Sequence, residues 1–482
     1  MYQKVENFIK NTPVWILLVL YLTIHIIIRL GFSSTLQVDD SEQVYFAQNL
    51  RLGYPIPQPP LYTWLTWIFF KVFGPSLFAL TVLKYSLIGL TFYFIHKTSV
   101  FFTKDKYIQN LIVLSYLLMP SFFWHMHQGF THTILLGLAI SSTFYYSISI
   151  ISNDKYIDYF FLGVSIAIGV LSKYSYLIFI FLLFVTLISK KDSREIFFNK
   201  KILISLSVAL ILQLPHMYWV FENFQNLFLS VDEKLSINQS SSVNNFFSLL
   251  NLFKSSIGFI SPLIFVFIIS FFRGKKNQKE NNTSPNINLE IIELFFKVLI
   301  IFSILTLLFF TIPHVKVRWL HPLLMLFPFW VFIKLLNRGK IDLLTKKIFI
   351  YFLIIITILV LFIRLIQVTV GPDLGIYGRL NRPIITALNK IPKKLLDQST
   401  IATNDAFIAS HLLINFRNRI LYRKEFFNTG EESDKCLWVW DNDDEQLFVE
   451  PELVTQSSRP EQIIIEFKNK PYILAYKAAQ KC

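Results

Sequence analysis

Three carboxylates, Asp39, Asp40 and Glu42, fall within four residues of one another, just after an apolar stretch long enough to cross a bilayer. A carboxylate at a membrane surface is costly unless it is solvated or put to use, and one held in place can take a proton. The same acids, with Ser41, would also suit the start of a helix, where the dipole favours negative charge. Basic residues sit at the ends of other apolar stretches: Lys173, Lys316 and Arg318. Arginine offers an anion a bidentate fork and lysine a compact charge, although side chains so placed also simply reach for headgroups. Lys84 lies deeper in an apolar stretch, where it binds an anion, forms an internal pair or snorkels. His125, His127 and His132 cluster with Trp124. With Asp39 and Glu42 they would suit a divalent cation or an acceptor site; otherwise they are interfacial polar groups around a pocket. Tyr45, Gln48, Gln58 and Tyr62 offer hydrogen bonds and stacking faces to a polar ligand, or anchor the chain at the interface.

The elements that must position these groups are membrane spans. The chain of 482 residues is 54% hydrophobic with a mean hydropathy of +0.50, which excludes a soluble globular domain. A spanning helix needs about 20 mostly apolar residues. About eleven such segments lie near 13–31, 77–97, 107–123, 131–151, 157–172, 174–189, 202–220, 253–272, 293–312, 319–336 and 347–367. The first, preceded by Lys4 and Lys10, lacks a clear small-residue cleavage site and reads as a retained anchor. No internal repeat and no clear Gly- or Pro-broken helix is visible. The net charge of +15 comes from basic residues in short loops, so it reports topology and gives no indication of nucleic acid. Loops after the second, sixth, eighth and tenth segments carry these charges and should be cytoplasmic. The opposite loops, including 32–76, then lie outside, as does the tail after an odd number of spans.

In the first outer loop, a surface helix over Glu42–Leu52 is expected to precede a Pro-rich turn at Pro55–Pro60 and an aromatic interfacial segment over Leu61–Phe73. The chain thus divides into a membrane domain, 1–367, and a small outer α/β domain, 368–482. In that tail Ser399–Asn404, Gln462–Phe467 and Tyr472–Tyr476 read as strands, and Ala406–Phe416 as a helix capped by Asn404 or Asp405. The two cysteines, Cys436 and Cys482, either pair in an oxidising compartment or stay free. The stretch Gly274–Pro285 is a polar linker.

Four stretches together resemble a known family. They are VDDSEQVYFAQNLRLGYPIPQPPLYTWL at Val38–Leu65, LMPSFFWHMHQGFTHTILL at Leu118–Leu136, GVSIAIGVLSKYSY at Gly163–Tyr176 and PHVKVRWLHPL at Pro313–Leu323. In this order, all on the expected outer side, they resemble the polyprenyl-phosphate-sugar glycosyltransferases. This is the GT-C group that includes protein O-mannosyltransferases and the lipid A aminoarabinose transferase. The resemblance covers roughly residues 10–335.

It implies an all-α polytopic GT-C fold, a lipid-linked sugar donor and a bacterial inner membrane with the active site facing the periplasm. The acceptor would be lipid A or another envelope lipid, a glycan or a protein. Asp39 stands where the family has its reaction-centre acid, with Asp40 and Glu42 beside it. Lys173, Lys316, Arg318 and Lys84 would hold the leaving lipid phosphate, which needs cations more than a general acid. Tyr45, Gln48, Gln58, Tyr62 and His132 would line the sugar or acceptor pocket. Many relatives have an acid where this chain reads Thr131-His132-Thr133, so metal dependence does not carry over. A flippase for a lipid-linked sugar is the alternative; it would not need a base at Asp39.

Overall fold

The computed structural model describes residues 2–54, 56–225, 245–273, 287–309, 315–338, 341–370, 383–398, 400–403, 405–416, 420–422, 436–441, 461–465 and 472–479. The expected linker at 274–285, most of the loop at 221–252, and Cys482 with its pairing lie outside the described residues.

Each expected span meets an apolar helix, but not always a straight one. Among the described residues six single helices are long and apolar enough to cross a bilayer: Val14–Phe32, Leu77–Phe102, His132–Asn153, Ile202–Glu222, Leu289–Leu308 and Leu343–Thr369. Three further candidates are bent pairs. Lys106–Leu118 meets Pro120–His127 at 77°, Phe247–Ile260 meets Leu263–Phe272 at 86°, and Val317–Leu324 meets Phe327–Asn337 at 47°. This corrects the reading that no Pro-broken helix is visible. Pro120, Pro262 and Pro328 each stand at or beside the start of the second helix. Proline lacks the N–H and its ring displaces the carbonyl four residues back, so the helix restarts in a new direction. Tyr156–Ser172 and Tyr176–Ile188, with 17 and 13 residues, are short for a hydrocarbon core of about 30 Å.

The chain forms two compact units. The first comprises Met1–Leu22, Arg51–Tyr62 and Tyr85–Val360. Within it Tyr156–Ser172 packs against both His132–Asn153 and Ile202–Glu222. Gly163 sets the second of these contacts, because a Cβ there would sit 2.5 Å from the Ser205 carbonyl oxygen and 2.9 Å from Val208 Cβ. The Ser205 hydroxyl also donates to the Tyr159 carbonyl at 2.6 Å. Backbone cannot retreat from a methyl without parting the helices. Gly163→Ala is therefore expected to destabilise the protein by about 1–3 kcal/mol. Thermal unfolding in detergent checks this, and an unchanged or raised midpoint would count against the close approach.

The second unit comprises Thr23–Leu50, Thr63–Lys84 and Leu361–Cys482. Its helical part joins the first and last long spans through Ile24, Ile28, Leu361 and Val368. Beside this contact Arg364 is only 2% exposed, within electrostatic reach of the buried His25. The tail folds as an α/β layer around a five-stranded sheet of order β2-β1-β3-β5-β4. The strands are β1 (Thr400–Thr403), β2 (Ile420–Tyr422), β3 (Cys436–Asp441), β4 (Glu461–Ile465) and β5 (Tyr472–Ala479). β1 runs parallel to β2 and β3, while β5 is antiparallel to β3 and β4. A parallel pair needs a crossover, supplied between β1 and β2 by the helix Ala406–Asn415, whose first turn is capped by Asp405 at 2.7 Å. Ile401, Leu437, Val439 and Leu474 from the sheet close on Ile408 and Leu412 of that helix. Both β2 and β3 escaped the sequence reading.

Candidate active site

The acidic stretch begins its helix earlier than expected. The helix is Val38–Phe46, so Glu42–Leu52 is corrected: Asp39 and Asp40 occupy the first turn and the helix stops at Ala47. Acids there face the positive end of the dipole, while Leu50 and Leu52 are left exposed. Gln37, at the N-cap, makes no side-chain capping bond.

The acids then part company. Asp40 is 2% exposed and accepts from Lys84 Nζ at 2.9 Å; Lys84 is itself 5% exposed. Arg29 lies 3.9 Å from the other carboxylate oxygen. Arg29 also donates to the Thr35 carbonyl at 2.8 Å and the Ser33 hydroxyl at 3.1 Å. Asp39 and Glu42 keep partial exposure. On the buried face Gln43 Oε1 accepts from the Thr63 hydroxyl at 2.7 Å. Tyr45 packs against the core of the tail, and Gln48 Nε2 donates back to the Tyr45 carbonyl at 2.9 Å. The structure thus sets Lys84 against Asp40, and engages Tyr45 and Gln48 within their own unit.

The first unit gathers the other candidates. Lys173 directly follows the helix Tyr156–Ser172 in extended backbone, and its Nζ donates to the Thr133 hydroxyl at 3.1 Å. His132 starts the helix that carries Thr133, and its ring lies 5.7 Å from that of Tyr62. Gln58, four residues before Tyr62, buries an Oε1 with no hydrogen-bond partner among the described residues. Lys173 and His125 bear electrostatically on His321, whose Nδ1 bonds the Arg318 carbonyl at 3.1 Å. Arg318 is partly buried; Lys316 is exposed, 5.7 Å from the Trp319 ring centre.

The Pro-rich loop is tied down by a separate stack. His216 lies between Tyr174, whose hydroxyl is 3.1 Å from Nε2, and the Leu52 carbonyl, 3.0 Å from Nδ1. Trp219 stacks on His216 at 5.7 Å and covers Gly53 so closely that a Cβ there would meet its ring at 2.2 Å. Burial raises the Tyr174 phenol to about 12, which keeps it a neutral hydrogen-bonding group. The three-histidine metal reading finds no geometry to support it. His127 has Nε2 2.9 Å from the Tyr21 hydroxyl and Nδ1 3.2 Å from the Tyr85 hydroxyl. Among the described residues no group of three or more His, Cys, Asp and Glu side chains is placed to hold a metal ion. Arg29, His216, His321 and His411 were not singled out in the sequence. Only His321 carried a usable signal, its place in PHVKVRWLHPL.

Comparison with known proteins bears on what this chemistry is. Residues 57–219 match the family model for dolichyl-phosphate-mannose-protein mannosyltransferases. Two relatives come from Rhizobium johnstonii. The lipopolysaccharide core galacturonosyltransferase RgtB is 27% identical over 83% of this chain and 80% of its own length. RgtA, of the same description, is 25% identical over 91% of this chain and 88% of its own. The chain is a membrane glycosyltransferase. The fold of this glycosyltransferase is similar to that of ArnT from Cupriavidus metallidurans. The TM-score is 0.55 to the structure bound to undecaprenyl phosphate and 0.57 to the apo state, each over 95% of this chain and 97% of ArnT, at 13% and 11% identity.

Proposed function

We propose that the glycosyltransferase moves a sugar from a polyprenyl-phosphate donor to a lipopolysaccharide-type acceptor at the periplasmic face of a bacterial inner membrane. The relatives that act on lipopolysaccharide core, and the ArnT structure that holds undecaprenyl phosphate, support this choice of acceptor and donor. The observation that carries the assignment of residues is the division among the acids. Asp40 is buried against Lys84, whereas Asp39, next to it in the first helical turn, stays partly exposed.

The step we infer has Asp39 take the proton of an acceptor hydroxyl as its oxygen attacks the anomeric carbon. The new C–O bond forms while the bond to the lipid phosphate breaks, and the phosphate leaves with the electron pair and inversion at carbon. Lys173, Arg318 and Lys316 neutralise the departing phosphate. Lys84 supports Asp40 and so leaves that set, and Glu42 flanks the reacting group. Gln58, Tyr62 and His132 contribute hydrogen bonds and a stacking face to the sugar; the unpartnered Gln58 Oε1 could accept from a sugar hydroxyl. No divalent cation is assigned a role.

The test is transfer by purified protein in lipid vesicles, offered labelled polyprenyl-phosphate sugars, galacturonic acid first, with lipopolysaccharide core as acceptor. Labelled core should appear with at least one donor. Lys173→Ala should raise the donor KM by about tenfold or more, as expected when a charge-assisted phosphate contact worth about 1.5–3 kcal/mol is lost. A folded, correctly inserted protein that labels no acceptor from any donor would overturn the proposal.

A further inference from the structure

We propose that the C-terminal domain positions the acidic loop, with His411 as the positioning residue: His411 and Arg29 grip the two ends of one peptide group just ahead of Asp39. That group joins Thr35 to Leu36. Its carbonyl accepts from Arg29 at 2.8 Å, and its N–H donates to His411 Nε2 at 3.0 Å. Arg29 belongs to the first span, whereas His411 lies 375 residues along the chain from Leu36, on the crossover helix of the terminal sheet. A peptide plane held at both poles cannot rotate. The Leu36 side chain is buried beside Val44 and Ala47, with Leu413 and Ile414 of the crossover helix packed on the same cluster. Gln37 makes no side-chain cap, so the entry angle of the helix carrying Asp39 is set by this grip.

The imidazole suits the task only in one form. Nδ1 sits 2.6 Å from the Phe407 carbonyl, an acceptor, so it carries the proton and leaves Nε2 as an acceptor for Leu36. Protonating Nε2 would set a donor against a donor. Burial first, then the nearby Arg29 charge, holds the His411 pKa down to about 4, against the opposing pull of the Phe407 carbonyl. Among the described side chains, the other ionisable groups on the elements packed around it are Asp39, Asp40, Glu42 and Tyr45 on the acidic helix. The grip therefore persists through neutral pH and opens as pH falls toward about 4. Stability falls over the window from the ordinary histidine value down to that pH, because there the unfolded chain binds the extra proton.

The activity arm of the test rests on the transferase reading; the exchange arm does not. Hydrogen exchange of residues 33–46 would be followed in the full-length protein in lipid, beside steady-state transfer, for wild type, His411→Ala and His411→Gln. His411→Ala should speed exchange of the Leu36 region by about tenfold or more and lower kcat by about ten- to a hundredfold, with donor KM within about twofold. The Gln amide oxygen can accept the same bond without titrating. It should restore protection and most of kcat, and remove the loss of protection that wild type shows on acidification to pH near 4. Wild-type exchange and kcat in His411→Ala would overturn the proposal. If His411→Ala fails to fold, His411→Gln decides alone: a wild-type acid profile refutes the grip and a flat one supports it. Faster exchange in His411→Ala, with no transfer by wild type, would keep the grip and reject the transferase reading.

Discussion

Asp39→Asn should lower the transfer rate by about a hundred- to ten-thousandfold, the range typical of a general base, with donor affinity close to wild type. Asparagine keeps the shape of the side chain and its place in the first helical turn, but its amide cannot take a proton. The structural cost is small. Removing one negative charge from a helix N-terminus costs about 0.3–1 kcal/mol, and Asp39 is only partly buried. Measured side by side, transfer should collapse while the melting temperature moves by a few degrees. Transfer within about threefold of wild type would remove Asp39 from the reaction, and Glu42 would be the next acid to test.

The second large effect concerns stability and separates Asp40 from Lys84. Removing one member of a buried ion pair costs about 3–5 kcal/mol, because the other charge is left uncompensated in a medium that solvates it poorly. The two members are not equivalent here. Asp40 faces Lys84 at 2.9 Å and Arg29 at 3.9 Å, so Asp40→Ala takes a facing carboxylate from two cations at once. Lys84→Met leaves the carboxylate beside Arg29 and fills the space with an apolar chain. Asp40→Ala should therefore be the more damaging, and Asp40→Leu combined with Lys84→Met milder than Asp40→Ala alone. Unfolding midpoints in detergent order the variants; Lys84→Met as the worst of the set would show that the carboxylate is held chiefly by other groups.

What the sequence disclosed follows from the range over which each signal acts. Apolar runs of about 20 residues mark spans through local composition, and every expected span meets an apolar helix. Asp405 was legible as one of two candidate caps, beside Asn404, because a cap needs only its next two residues. The bends were missed although Pro120, Pro262 and Pro328 were in plain view, since a proline in an apolar run marks either a helix start or a kink. The partners of Asp40 and Leu36 left no local trace. Lys84 is 44 residues from Asp40, and His411 was one polar residue in an otherwise apolar stretch. The strand Ile420–Tyr422, three residues long, is shorter than the run of about four to eight over which alternation becomes readable, whereas Cys436–Asp441, with six, has that length and was missed for another reason.

The buried Arg364 has a consequence for how the chain is made. An arginine at the centre of a span costs about 2.5–3.5 kcal/mol when the helix enters lipid; Arg364, near the end of Leu343–Thr369, costs less, an amount that this long apolar run can carry. Its protein surroundings include the first span, packed through Ile24 and Ile28, which leaves the ribosome more than 300 residues earlier. The last long span therefore meets the first only late in biogenesis, and until then each holds surface that lipid solvates badly. A chain stalled before that meeting would present the membrane's quality-control proteases with an exposed guanidinium as its mark of incompleteness.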